Sequence, residues 1–69
     1  MKNILVLGLG KVGSLVGTLL SSKFNVKGLD QNTPHYNYKL PFNVIQGDVS
    51  DLKNMKSILK DFDAVVSAL

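Results

Sequence analysis

The sequence predicts an α/β fold in which four short strands form a parallel sheet in the order 3-2-1-4, the first half of a doubly wound fold. Four apolar runs of strand length occur along the 69 residues, and apolar residues recur at helical spacing after the first and third runs. A glycine-rich turn follows the first run, and an aspartate ends the second. Right-handed crossovers between such strands give a parallel sheet, with a ligand crevice where the strand order reverses, between strands 1 and 4.

The first strand, Ile4–Leu7, is a continuous apolar run typical of a strand that is buried on both faces. Three glycines follow it in the pattern of a dinucleotide-binding turn. We expect Gly8 to permit the sharp turn, Gly10 to let the backbone approach a pyrophosphate, and Gly13 to let the next helix pack closely. The pattern predicts a phosphate site at the start of that helix.

The first helix is predicted from apolar residues at helical spacing: Val12, Leu15, Val16, Leu19 and Leu20. Gly17 lies one turn beyond Gly13 on the same face, so we expect it to extend the close approach. Lys11, on the first turn, could face the phosphates, although a lysine there is more often solvated.

The second strand, Asn25–Asp30, supplies the acidic residue that the fingerprint requires about 20 positions after the glycines. A carboxylate at Asp30 would accept hydrogen bonds from both ribose hydroxyls of NAD and would repel the 2′-phosphate of NADP. Gln31 follows it, and the chain contains no arginine that could receive such a phosphate. The sequence therefore predicts NAD as the preferred cofactor, with NADP possible.

The segment from Gln31 to Pro41 is predicted to be an irregular loop or a single turn, because loop-forming residues interrupt any helical pattern. These loop formers are Asn32, Pro34, Asn37 and Pro41. His35 lies beside a proline in this segment and is interpreted as a surface side chain, since no neighbour orders or pairs it.

The third strand is predicted at Phe42–Gln46 and the fourth at Asp63–Leu69, with a helix between them from Leu52 to Phe62. Ser50 or Asp48 is expected to cap this helix, with Asp51 in its first turn. Met55 is interpreted as a core residue. The Asp48-Val49 pair is expected to border an adenine, with the carboxylate accepting from the exocyclic amine and the valine covering a ring face.

Eleven residues are the predicted cofactor-binding set: Gly8, Gly10, Lys11, Val12, Gly13, Asp30, Gln31, Asp48, Val49, Ala68 and Leu69. No catalytic and no metal-ligating residue is predicted. Asp61 and Asp63 could mimic an acid/base pair, but they precede the fourth strand, whereas ligands of open parallel sheets bind beyond the carboxyl ends.

Composition excludes several classes of protein. The chain is 45% hydrophobic and 19% charged, which is typical of a globular domain, and it has no cysteine for a disulfide or a thiolate zinc site. Its net charge is +3, yet the eight lysines are scattered, unlike those of nucleic-acid-binding proteins. No apolar run is long enough for a membrane span, and no signal peptide is evident. The sequence therefore predicts a cytoplasmic protein without nucleic-acid or membrane partners.

A four-strand sheet of this kind leaves its fourth strand as an unpaired edge. We therefore expect residues 1–69 to be the N-terminal part of a dinucleotide-binding domain in a longer chain, or a piece completed by another subunit. The parent protein is expected to be a homo-oligomer.

The chain resembles the N-terminal NAD(P)-binding Rossmann domain of the saccharopine dehydrogenase family in three segments: Lys2–Gly13, Gly47–Asp51 and Asp63–Leu69. The resemblance implies an oxidoreductase that transfers hydride between a nicotinamide cofactor and the amine of an amino acid such as saccharopine or lysine. The substrate would bind a domain absent from these residues, so this segment alone should show no turnover. The sequence departs from the family between Asp30 and Phe42, where relatives carry a helix.

Two alternatives remain open. The nucleotide-sensing domains that regulate potassium channels and transporters share the glycines, the aspartate after strand two and a glycine-aspartate pair after strand three. In those domains NAD is an effector and no hydride moves, but they favour a Gly-Asp-Ala-Thr-Asp run over the Asp48-Val49-Ser50-Asp51 found here. The other alternative is a degenerate fold that binds nothing, against which the intact glycines argue.

Overall fold

The computed structural model describes residues 1–31 and 40–69, and it confirms the predicted Rossmann-like α/β fold. In chain order, the elements are β1 (Asn3–Leu7), α1 (Lys11–Leu20), β2 (Asn25–Asp30), β3 (Asn43–Gln46), α2 (Leu52–Leu59) and β4 (Ala64–Ser67). The sheet has the strand order β3-β2-β1-β4, and each neighbouring pair is parallel. The predicted irregular loop, including His35, lies outside the described residues between Gln31 and Leu40.

β1 is the centre of the sheet because it pairs with both β2 and β4. Val6 lies opposite Gly28 on one side and Val66 on the other. The side chains of β1 alternate between two separate hydrophobic clusters, as a strand buried on both faces requires. The prediction for this strand is confirmed, with one further residue at its start.

The first hydrophobic cluster lies on the α1 face and the second on the α2 face of the sheet. The first contains Ile4, Val6, Leu9 and Val26, with Leu20, Phe24, Phe42 and Val66 packed against it. The second contains Leu5, Leu29 and Met55, with Leu7, Ile45, Ile58 and Phe62 around it. Met55 is therefore a core residue, as predicted.

α1 contacts the sheet through its small residues. The buried positions of the helix are Gly13, Ser14 and Gly17, whereas Val12, Leu15 and Leu19 are at least 60% exposed. The apolar spacing thus predicts the helix correctly but does not mark its buried face. Small side chains on that face let the helix backbone lie close to the strands.

Gly17 makes a close approach, but to a side chain and not to the strand backbone. A Cβ at Gly17 would lie 2.7 Å from two ring atoms of Phe42. The sequence predicts Phe42 as the start of the third strand, but β3 begins at Asn43, and the Phe42 ring packs on the first hydrophobic cluster. The ring thereby fills the space that the missing side chain of Gly17 leaves.

Three predictions about the ends of elements in the second half of the chain are wrong. The cap of α2 is Asp51, whose side chain accepts a hydrogen bond from the backbone N–H of Asn54 at 3.3 Å, and not Ser50 or Asp48. α2 ends at Leu59, before Phe62, because the backbone N–H groups of Asp61 and Phe62 bond to carbonyls three residues back in a tightened turn. β4 is shorter than predicted, at Ala64–Ser67. Within the described part of the chain, no helix has the length and apolarity needed to cross a bilayer.

Candidate functional site

The carboxyl ends of the four strands meet at one edge of the sheet, and backbone hydrogen bonds join the residues that leave it. The N–H of Gly8 donates to the carbonyl of Leu29 at 2.9 Å, and that of Gly47 donates to Asp30 at 3.0 Å. The N–H of Ala68 donates to the carbonyl of Leu7 at 2.8 Å. These hydrogen bonds fix the backbone at the points where the loops beyond the strands begin. Ligands of such sheets bind at this edge.

Gly8 makes the turn off β1 in the way that the sequence predicts. Its φ is +87°, a backbone conformation that side chains disfavour. A Cβ there would also lie 2.9 Å from a methyl of Leu69 and 3.2 Å from the carbonyl of Ala68. The turn therefore needs glycine both for its conformation and because the end of β4 packs against it.

Gly13 allows the first turn of α1 to lie against the glycine turn itself. A Cβ at Gly13 would overlap the carbonyl oxygen of Gly8 and would lie 3.3 Å from the Cβ of Ala68. Gly10, the N-cap of α1, differs, since a Cβ at this position would meet no atom of the described residues within 4 Å. The described structure thus leaves open space directly beside the start of the helix.

Leu9, between the first two glycines, anchors the turn in the protein core, and sequence reasoning missed it. Its side chain is 2% exposed and belongs to the first hydrophobic cluster. It packs over Gly28 of β2, where a Cβ would lie 2.6 Å from one Leu9 methyl and 2.7 Å from the other. A glycine inside a strand often marks such a close approach, so Gly28 was the signal that could have revealed this contact.

Asp30 connects the end of β2 to the glycine turn. Its Oδ2 accepts a hydrogen bond from the backbone N–H of Leu9 at 2.6 Å. The sequence predicts that this carboxylate binds ribose hydroxyls, and the observed bond is compatible with that role because a carboxylate has about four acceptor positions. Asp30 therefore orients the turn in addition to any contact with a ligand.

Asp48 lies in a hydrogen-bonded network beyond β3. Its Oδ1 accepts from the Ser50 backbone N–H at 2.9 Å and from the Ser50 hydroxyl at 2.8 Å, and its Oδ2 accepts from Nε2 of Gln31 at 3.2 Å. The Ser50 backbone bond, followed by the hydroxyl bond, lowers the pKa of Asp48, while desolvation opposes this weakly. Asp48 is consequently ionised at neutral pH.

A pocket of about 120 Å³ opens between the ends of β2, β3 and β4. Its lining is Leu29, Asp30, Gln31, Gly47, Asp48, Val49 and Leu69, which includes five of the predicted cofactor-binding residues. Gly8, Gly13 and Ala68 lie together at the turn, whereas Lys11 and Val12 are exposed on the first turn of α1. The predicted set thus occupies a single edge of the sheet, as a turn and an adjacent pocket.

A larger cavity of about 580 Å³ lies at the opposite edge, where the strands begin. Residues around it include Asn3, Asn25 and Asn43 at the starts of three strands, and none of its described lining residues belongs to the predicted set. Asp63 is at this edge too, with its Oδ2 accepting from the N–H of Asn3 at 2.8 Å. We place the functional site at the carboxyl edge, because ligands of open parallel sheets bind there.

The TrkA-N domain model matches residues 4–69 of the chain. No curated protein matches it. Because of the TrkA-N match, the resemblance to the saccharopine dehydrogenase family and the oxidoreductase function that it implied are wrong. Nothing supports the amino-acid substrate or the role in amino-acid metabolism. The matched family consists of nucleotide-binding domains, and the alternative of a nucleotide-sensing domain is the interpretation that it supports.

Proposed function

The chain belongs to the TrkA-N domain family, and on that premise we propose that it is an NAD-sensing regulatory domain of a potassium channel or transporter. In this function the nucleotide is an effector and no hydride is transferred. The observation that carries the proposal is the family match over residues 4–69, which includes the glycine turn, Asp30 and the pocket beyond β3.

The arrangement at the carboxyl edge supports binding of an extended dinucleotide. The pyrophosphate would lie over Gly10 and the start of α1, where backbone N–H groups and the helix dipole favour an anion. The adjacent ribose would hydrogen-bond to Asp30. The adenine would enter the pocket beside Asp48 and Val49, whose side chain is 37% exposed and available to cover a ring face.

The charges around the pocket favour NAD over NADP. Asp30 and Asp48 both line it, and hydrogen bonding keeps Asp48 in its charged form. The chain has no arginine, and among the described residues no lysine lines the pocket. A 2′-phosphate would add roughly two negative charges next to these carboxylates, so NADP should bind more weakly.

The carboxylates of the site have structural partners that suit a sensor. Asp30 accepts a hydrogen bond from the backbone N–H of Leu9, and Asp48 accepts hydrogen bonds from Ser50 and Gln31. Occupation of the ribose and adenine positions would therefore act on the turn and on the loop after β3. A ligand shifts the equilibrium between two regulatory states of a protein only if its affinities for the two states differ. The hydrogen bonds of Asp30 and Asp48 would be the source of that difference in affinity.

Calorimetric titration of the chain with NAD, NADH and NADP tests the binding part of the proposal. We expect NAD and NADH to bind, and NADP to bind less tightly. The regulatory part is tested by potassium uptake in cells that carry Asp30→Ala in the gene for this chain, compared with unmodified cells. Failure of all three nucleotides to bind, or NAD reduction in the presence of lysine or saccharopine, would contradict the sensor function.

The predicted homo-oligomer stays a prediction, for which light scattering is the measurement.

A further inference from the structure

Ser14 is a buried polar residue on the face of α1 that packs against the sheet. It is 2% exposed and lies between the buried positions Gly13 and Gly17. Burying a hydroxyl group is unfavourable unless it is hydrogen-bonded. The Oγ of Ser14 donates to the carbonyl oxygen of Leu9 at 3.1 Å, so the side chain reaches out of the helix into the glycine turn.

This contact departs from the usual behaviour of a hydroxyl residue in a helix. Such side chains commonly donate to the carbonyl four residues back, as Thr18 does to Ser14 at 2.8 Å. The Ser14 hydroxyl instead bonds to Leu9, five residues back, while the backbone N–H of Ser14 donates to the carbonyl of Gly10 at 2.9 Å. The hydroxyl bond to Leu9 therefore acts on the turn and not on the helix ladder.

The hydrogen bond from Ser14 to Leu9 determines the orientation of the Leu9–Gly10 peptide. This peptide is trans, so its carbonyl and its N–H point in opposite directions. Because the buried Ser14 holds the Leu9 carbonyl towards the protein interior, the N–H of Gly10 faces the opposite way. Gly10 itself is exposed, and a Cβ built on it would meet no atom of the described chain within 4 Å, so a ligand can approach this residue.

The preceding peptide is also held on both sides. The N–H of Leu9 donates to Asp30, and the carbonyl of Gly8 lies against Gly13. With Ser14 acting on the next peptide, two consecutive peptides of the turn have fixed orientations. Groups that are already oriented before a ligand arrives avoid the cost of ordering on binding.

We propose that Ser14 is a positioning residue of the phosphate site: it holds the Leu9 carbonyl inward and so presents the Gly10 N–H to the pyrophosphate of the nucleotide. This inference rests on the proposed function, and it assigns a role to a residue that acts through the turn and does not itself contact the nucleotide. Its effect should be confined to the phosphates, because the Leu9–Gly10 peptide lies at the turn and the adenine pocket is lined by other residues.

The test compares Ser14→Ala with the unmodified chain, using ADP as a ligand with a pyrophosphate and adenosine as one without. Amide chemical shifts report binding even when it is weak, with Gly10 as the reporter of the turn and Val49 as the reporter of the pocket. Ser21→Ala is the matched control, since Ser21 also donates to a backbone carbonyl, that of Thr18 at 2.8 Å, but at the far end of α1.

Ser14→Ala should weaken ADP binding by roughly three- to tenfold, the range that one hydrogen bond typically provides. Adenosine affinity should be unchanged, the response of the Gly10 amide to ADP should be reduced, and Ser21→Ala should match the unmodified chain. Equal ADP affinity in Ser14→Ala and the unmodified chain would overturn the inference, as would an equal loss of ADP and adenosine affinity. If the unmodified chain bound neither NAD nor ADP, the proposed function itself would fail, a result distinct from the other two.

Discussion

The carboxylate of Asp30 accepts a hydrogen bond of 2.6 Å from the backbone N–H of Leu9, 21 positions earlier in the chain. The bond joins the residue expected to bind ribose to the turn expected to bind phosphate. On the proposed function, this single side chain orients the turn and also binds the ribose, so substitutions at Asp30 should affect both parts of the site.

Asp30→Ala should weaken NAD binding and reduce discrimination against NADP by about 1–3 kcal/mol, the usual scale for a charged hydrogen-bonding group. Asp30→Asn is the control, because its amide oxygen can still accept from Leu9 while the negative charge is lost. We expect Asn to reduce the discrimination and to preserve more of the NAD affinity than Ala does. Calorimetry with both nucleotides measures this, and equal affinity of the unmodified chain for NAD and NADP would contradict the assignment.

Gly28→Ala should destabilise the domain by about 1–3 kcal/mol, the typical cost of overpacking. The new methyl would lie within 2.7 Å of both Leu9 methyls and 2.9 Å from the Phe42 ring. Urea unfolding followed by circular dichroism measures the change. In the double variant Gly28→Ala/Leu9→Ala the smaller side chain at Leu9 makes room for the new methyl, so the loss of stability should be less than the sum of the two single losses. Additive losses of stability would show that the contact between Leu9 and Gly28 is unimportant.

Gly10→Ala should leave stability nearly unchanged yet weaken NAD binding by roughly five- to a hundredfold, through a steric cost of about 1–3 kcal/mol. Its φ of −70° suits alanine, and the added methyl would meet no atom of the described residues within 4 Å. The methyl would occupy the space through which the pyrophosphate approaches. Thermal unfolding and calorimetry separate the two effects. Normal NAD affinity in this variant would place the phosphates elsewhere.

Gly13→Ala provides the contrasting result at the same turn. Its methyl would overlap the carbonyl oxygen of Gly8, so the first turn of α1 could not remain against the glycine turn. We expect a loss of stability together with the loss of NAD binding, measured by the same two methods. A stable Gly13→Ala domain with normal affinity would show that the close approach of α1 is not required.

Ser50→Ala should raise the pKa of Asp48, because it removes the hydroxyl bond while the Ser50 backbone bond, the larger cause of the lowered pKa, remains. A carboxyl group whose folded-state pKa is lowered contributes stability above its unfolded pKa, and this contribution disappears as the pH falls through the folded value. The acid limb of the stability curve should therefore move to higher pH in Ser50→Ala. Carboxyl chemical shifts of Asp48 during an acid titration measure the pKa, and an unchanged midpoint would contradict the role of the hydroxyl.

The strand order and most elements of this fold could be predicted from local patterns. The β2 boundaries, Asn25–Asp30, agree with the prediction at both ends, and the turn at Gly8 has the positive φ that its position required. Local chemistry suffices for these features, because an apolar run ended by aspartate and a glycine after a buried strand each leave few conformations available.

The family could not be read correctly from the same residues. The glycine turn and Asp30 belong to the general requirements for holding a dinucleotide, which dehydrogenases and sensors share. The run Asp48-Val49-Ser50-Asp51 fits the dehydrogenase pattern, but the match to the TrkA-N domain over residues 4–69 is the stronger observation.

The sequence alone determined the glycine turn, the acidic end of β2 and the edge of the sheet where they meet, because each follows from the residues at one place in the chain. Only the tertiary structure decided that Leu9 packs over Gly28, that Ser14 bonds to the Leu9 carbonyl, and that α1 turns its small residues inward. These features depend on which segments come into contact after folding, and contacts between distant residues leave no periodic signal in a single sequence.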